Sequence, residues 1–208
     1  MTKKHNNESV DTNIESLSQA ESFIKKNNKK IIIAVIAVVA VVIGYLVFDA
    51  ISDSKDKAGQ EAYTMVEESA DLAAQEKYLQ EYEGHTVGIA EFNAGVAAYE
   101  AKDYKKAIEY FSEYECEDAL LAARALACIG DCYAQLGDNA KAYENYALAV
   151  SKADNELASE YAFRAGLAAE KLNKKDKALA MYKMIQNKYP STPRAMGIEK
   201  YISRVEAK

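Results

Sequence analysis

The chain has no tryptophan, only two prolines and nine glycines among 208 residues. So few breakers leave long uninterrupted stretches, and these are filled with Ala, Glu, Lys and Leu, which favour helix. An all-helical chain follows. Cysteine is scarce too. Cys116, Cys128 and Cys132 are an odd number, which argues against a disulfide framework. Cys128 and Cys132 lie four apart on one helix face, too far for an easy bridge, so a redox pair is the weaker alternative to simple packing. Of the two histidines, His5 lies in a polar arm and His85 in a turn, and neither has a partner nearby in sequence. Together with the cysteines they miss the spacings of a zinc site. No phosphate loop, nucleophile elbow or zinc-binding helix motif is present. No catalytic centre, cofactor or metal is therefore expected. The absence of a basic stripe with interleaved aromatics argues against nucleic acid as a partner.

The net charge of −6 is spread unevenly. Residues 1–30 carry six lysines and four acids, for +2. Residues 49–123 carry six basic and 18 acidic groups, for −12, and residues 124–208 carry 14 basic and 10 acidic groups, for +4. Between the first two blocks lies IIIAVIAVVAVVIGYLVF, residues 31–48, with no charged or strongly polar side chain. At about 1.5 Å per residue it spans roughly 27 Å, close to the hydrocarbon thickness of a bilayer. It is apolar on every face, so burial in a soluble core is a poor alternative. Lys25, Lys26, Lys29 and Lys30 precede it, and Asp49, Asp53 and Asp56 follow it. That asymmetry places the amino terminus inside and the rest outside. A cleaved signal peptide is the competing possibility, but its apolar core is usually shorter and lacks a long polar leader.

The organisation expected is a polar arm over 1–30, a transmembrane helix over 31–48, a helical spacer over 49–88, and a repeat domain over 89–208. Residues 1–12 are expected to be disordered, and residues 13–28 to form either a weakly amphipathic helix or a mostly flexible arm. In the spacer, Gly59 is the expected soft point, and Leu72, Leu79 and Tyr82 suggest a second helix of a degenerate pair that caps the stack. The repeat is legible in three segments: AGVAAYEAKDYKKAIEYF from Ala94, IGDCYAQLGDNAKAYENY from Ile129 and AGLAAEKLNKKDKALAMY from Ala165. Each glycine (Gly95, Gly130, Gly166) is followed after twelve residues by Ala107, Ala142 or Ala178, and four later by Phe111, Tyr146 or Tyr182. Units 35 and 36 residues apart that cannot bury their own faces alone indicate a solenoid.

This spacing resembles the tetratricopeptide repeat, a stacked pair of antiparallel helices. The resemblance implies glycines where the two helices approach closely, small alanines opposite them, and aromatics filling the space between units. The first-to-second helix turn has Gly137 in copy two and Asn173 in copy three, both suited to a left-handed cap. Lys102 in copy one is less suited, so a different turn is expected there. After Pro190, residues 192–206 suggest a closing helix capped by Thr192, with Ala195, Ile198, Ile202 and Val205 buried. The acidic run from Glu113 to Asp118 is most simply a solvated turn, with binding of a cation or a basic partner as the alternative.

By register, the concave face of the first helices would be lined by Phe92, Val96 and Tyr99, then Arg124, Asp131 and Gln135, then Phe163, Leu167 and Lys171. These are the candidate partner-binding residues, against the alternative that some only pack between units. Phe92 and Val96 stand where some repeat proteins carry a polar clamp for a peptide carboxylate, so that clamp is not expected. The layout, the leader ESFIKKNNKK running into the apolar segment and the ending PSTPRAMGIEKYISR resemble the bacterial single-span tetratricopeptide proteins that are ancillary subunits of the Sec translocon. That resemblance implies a non-enzymatic adaptor in the inner membrane. Its repeats would face the periplasm, with the translocon or membrane-anchored chaperones as partners. The alternative is an envelope or cell-division scaffold that self-associates as a homo-oligomer.

Overall fold

The computed structural model describes residues 5–67, 69, 71–153 and 155–207, with side chains from residue 21 onward. Among these residues every regular element is a helix. The chain divides into two compact units, Met1–Ser54 and Lys55–Lys208. Helix α1 (His5–Val66) contains the apolar segment. It begins ahead of the helix expected from residue 13. No Gly or Pro occurs before Gly44 to interrupt it, and once a helix is nucleated each further residue adds at little cost. Residues 1–4 lie outside the described residues. One helix, described from Glu21 to Val66, is long and apolar enough to cross a membrane, and none of its most apolar 18-residue window is buried. Ile36, Val41 and Phe48 are 62%, 73% and 71% exposed.

The second unit starts with the last turns of α1 and continues with α2 (Leu72–Glu81). Tyr63 and Tyr78 are both buried and their rings lie 5.3 Å apart. Gly59 is not a soft point but a close-approach residue. An added Cβ there would sit 2.5 Å from the backbone oxygen of His85 and 3.3 Å from the Tyr82 ring. Asp56 Oδ1 lies 2.7 Å from His85 Nδ1 just beside it.

Three helix pairs follow: α3 (Ala90–Glu100) with α4 (Tyr104–Glu113), α5 (Ala119–Gln135) with α6 (Asn139–Lys152), and α7 (Leu157–Lys171) with α8 (Lys175–Lys188). Each helix packs on the next in sequence, and α9 (Ile198–Glu206) packs on α8. Asp103, Asp118 and Asp138 cap α4, α5 and α6 through their side chains. Asp118 thus has a structural role within the acidic run. Ala107, Ala142 and Ala178 are fully buried.

The repeat glycines make room for aromatic rings rather than for backbone. A Cβ on Gly95 would lie 2.7 Å from the Phe111 ring, and one on Gly130 the same distance from the Tyr146 ring. One on Gly166 would overlap Tyr182 at three ring atoms. The aromatics expected only between units therefore first fill the cleft inside their own pair. Tyr146 also reaches the next unit, sharing a cluster with Ala165 and Ala168.

The first turn is not built differently. Lys102 takes φ +63°, beside +80° at Gly137 and +57° at Asn173. In all three copies the residue after it donates to the carbonyl five positions back: Asp103 to Ala98, Asp138 to Tyr133, Lys174 to Ala169, each 2.9 Å. That bond closes the helix end and overrides the preference of lysine for negative φ. At the other end of the domain α9 starts later than expected. Gly197, at φ +106°, separates it from a run of turns, and buried Thr192 donates to the Tyr189 carbonyl at 2.8 Å instead of capping a helix. Ile198, Ile202 and Val205 are buried as the stripe predicted.

Candidate protein-docking face

The first helices of the pairs, α3, α5 and α7, carry the nine candidate residues. The structure sorts them into two groups. Phe92, Val96 and Tyr99 belong to the core around α3 and α4. Phe92 is 5% exposed and packs edge-on against Phe111 and Tyr114. The exposed Arg124 lies over its ring, 5.2 Å from the centroid. Tyr99 is bridged to the next pair by Gln135, whose Nε2 lies 3.4 Å from the phenol oxygen. Asp131, Phe163, Leu167 and Lys171 instead line one cavity of about 600 Å3 on α5 and α7. Phe163 is 7% exposed, so it contributes mainly to packing, with Tyr201 at 4.8 Å and the Arg194 guanidinium 4.3 Å above its ring.

Arg164, Glu160, Glu170, Arg194 and Arg204 also line this cavity and were missed in the sequence. They form a charge ladder. Asp131 accepts from the Tyr146 hydroxyl at 2.7 Å and pairs with Arg164 Nη1 at 2.5 Å. Glu160 accepts from Arg164 Nε at 2.9 Å and is gripped by Arg194. Glu170 accepts from the Tyr182 hydroxyl at 2.7 Å and pairs with Arg204 Nη2 at 2.5 Å. The same device recurs before the first clear copy, where Glu76 accepts from Lys106 Nζ at 2.6 Å and from the Tyr110 hydroxyl at 3.1 Å. Asp131, Glu170 and Glu76 each tie a tyrosine to a cation, Glu160 joins two arginines, and Asp131, Glu160 and Glu170 reach cations 33 or 34 positions further on. That separation is close to the 35 and 36 residues between copies, and it was the available signal.

Electrostatics follows from the ladder. Burial pushes Glu160 up, but its bonds to Arg194 and Arg164 outweigh that and hold it below the usual carboxylate range. The Lys106 bond lowers Glu76 likewise. Burial and the Asp131 bond push the Tyr146 phenol up. The cysteines stand apart: burial raises Cys128 to about 11 and Cys132 to about 12, which leaves both as thiols at neutral pH. Among the described residues no group of three or more His, Cys, Asp or Glu is placed to hold a metal ion.

The tetratricopeptide-repeat family model matches residues 160–192, which run from α7 through α8. The match supports a tetratricopeptide-repeat protein. No curated protein matches the chain.

Proposed function

We propose that this chain is a non-enzymatic adaptor, held in a membrane by residues 31–48, that docks proteins on the concave face of its repeats. One observation carries the proposal: a helix whose apolar side chains are exposed on every face belongs to the same chain as a repeat stack with an open, polar-lined cavity. Each such side chain left in water forfeits about 1.5–3 kcal/mol of burial free energy, and a bilayer restores it. Tetratricopeptide repeats generally bind proteins. Anchoring would raise the local concentration of such a face and make weak contacts effective.

The lysines ahead of the apolar segment support an orientation with the amino terminus on the cytoplasmic side and the repeats outside, and the resemblance of layout supports the bacterial inner membrane as the site. The link to the Sec translocon and to periplasmic chaperones rests on the resemblance of layout. Proximity labelling from the carboxy terminus tests it, with translocon subunits or membrane-anchored chaperones as the expected neighbours. Recovery of division or envelope-synthesis proteins alone would overturn the export link. That outcome would favour the second reading, a self-associating scaffold, which the split between −12 over residues 49–123 and +4 over residues 124–208 supports.

A further inference from the structure

The cavity has a specific electrostatic vacancy. Its three carboxylates, Asp131, Glu160 and Glu170, are all engaged by cations of the fold, so none remains to hold a basic ligand. The cations are not all used. Lys171 lines the cavity and is exposed, and Lys174 and Lys175 are exposed in the turn that follows it. None of the three makes an ion pair among the described residues. Asp176 is the acid in this turn. A ligand that offers carboxylates would meet these lysines.

We infer that this ligand is the acidic α4–α5 turn of a second copy of the chain, docked by Glu113, Glu115 and Glu117. These three side chains are exposed and unpaired among the described residues. The turn is extended at Tyr114, so it presents peptide groups as well as charge. Three acids meet three lysines. The inference rests on the concavity being a protein-docking face, and anchoring supplies the concentration that so small a contact requires. Because helices alternate in direction, the α4–α5 turn and the α7–α8 turn lie at opposite edges of the stack. The two surfaces are therefore different patches, so one copy can give its acidic turn to one neighbour and receive a turn from another.

The test uses the full chain in phosphatidylcholine vesicles, labelled at the carboxy terminus with donor or acceptor fluorophores. Energy transfer between copies is expected at about 0.05 M salt and should fall to background at about 0.5 M, where screening is short-ranged. The triple variants K171E/K174E/K175E and E113K/E115K/E117K should each lose the salt-sensitive transfer alone. Mixed together they should regain it, because each reversed face finds its complement. A folding defect would not be rescued by mixing. Absence of salt-sensitive transfer in the wild type, or loss in both variants without rescue, overturns the proposal. So does loss of transfer when one-third of the lipid is phosphatidylglycerol, which would assign the lysines to lipid. Any of these failures leaves docking of other proteins to its own test by proximity labelling.

Discussion

Replacing Gly166 with alanine should destabilise the repeat unit, although alanine is the better helix former. The new Cβ would lie 2.7 Å from Cζ and 2.8 Å from Cδ1 of Tyr182, with Cε1 closer still. The ring cannot swing away. It is fully buried, its hydroxyl is fixed on Glu170, and Phe163 and Tyr201 close its sides. Overpacking of this kind costs about 1–3 kcal/mol, and helix propensity returns about 1 kcal/mol of it. The net loss is up to about 2 kcal/mol, a fall in Tm of up to about 8 °C for a unit of this size. The decisive step is the background. Tyr182→Ala alone should cost about 3–5 kcal/mol through the cavity it leaves. Adding Gly166→Ala to it should then be neutral or stabilising, because the obstructing ring is gone and only propensity remains. Chemical denaturation of the four proteins gives the coupling directly. A Gly166→Ala change that costs the same with and without Tyr182, or that stabilises the wild type, would refute the reasoning. Gly88→Ala, with open space around its Cβ, is the control.

Lys102→Gly should stabilise the protein by about 0.5–1 kcal/mol, since φ +63° is costly for lysine and free for glycine; thermal melts read the gain. Asp131→Asn should cost about 1–3 kcal/mol by weakening one rung, leaving Arg164 with Glu160 as its charged partner; equilibrium unfolding in urea measures it. Glu76 and Glu160 are held below their ordinary value of 4.5. A depressed carboxylate contributes stability above its unfolded pKa and loses it as pH falls through its folded pKa. Unfolding midpoints should therefore be flat above about pH 5 and decline below pH 4.5, with Glu160→Gln showing a shallower decline. A steeper decline in that variant contradicts the assignment.

Much of this was legible in the sequence because the repeat imposes one residue type per place. Gly95, Gly130 and Gly166, their alanines and their aromatics repeat in register, and the buried positions of α9 follow from 3.6-residue spacing. The failures came where a local preference met a tertiary demand. Lys102 is a poor left-handed residue, but the 103-to-98 hydrogen bond forces the same turn in all copies. Gly59 looked like a hinge because the backbone of His85, which it must clear, lies 26 positions away. Phe92 and Phe163 fell on the concave face by register, yet neighbouring rings and arginines cover them. The ladder of Arg164, Arg194 and Arg204 was missed because its pairs join successive repeats and become visible only when charges about one repeat apart are compared.

Whether residues 31–48 hold the chain in a bilayer is the point on which the adaptor proposal turns. Alkaline carbonate extraction of membranes from cells making the full chain, followed with antibodies to both termini, addresses it directly. The full-length chain should stay in the membrane pellet and be released only by detergent. Recovery of the chain in the carbonate supernatant with its amino terminus intact would contradict the proposal.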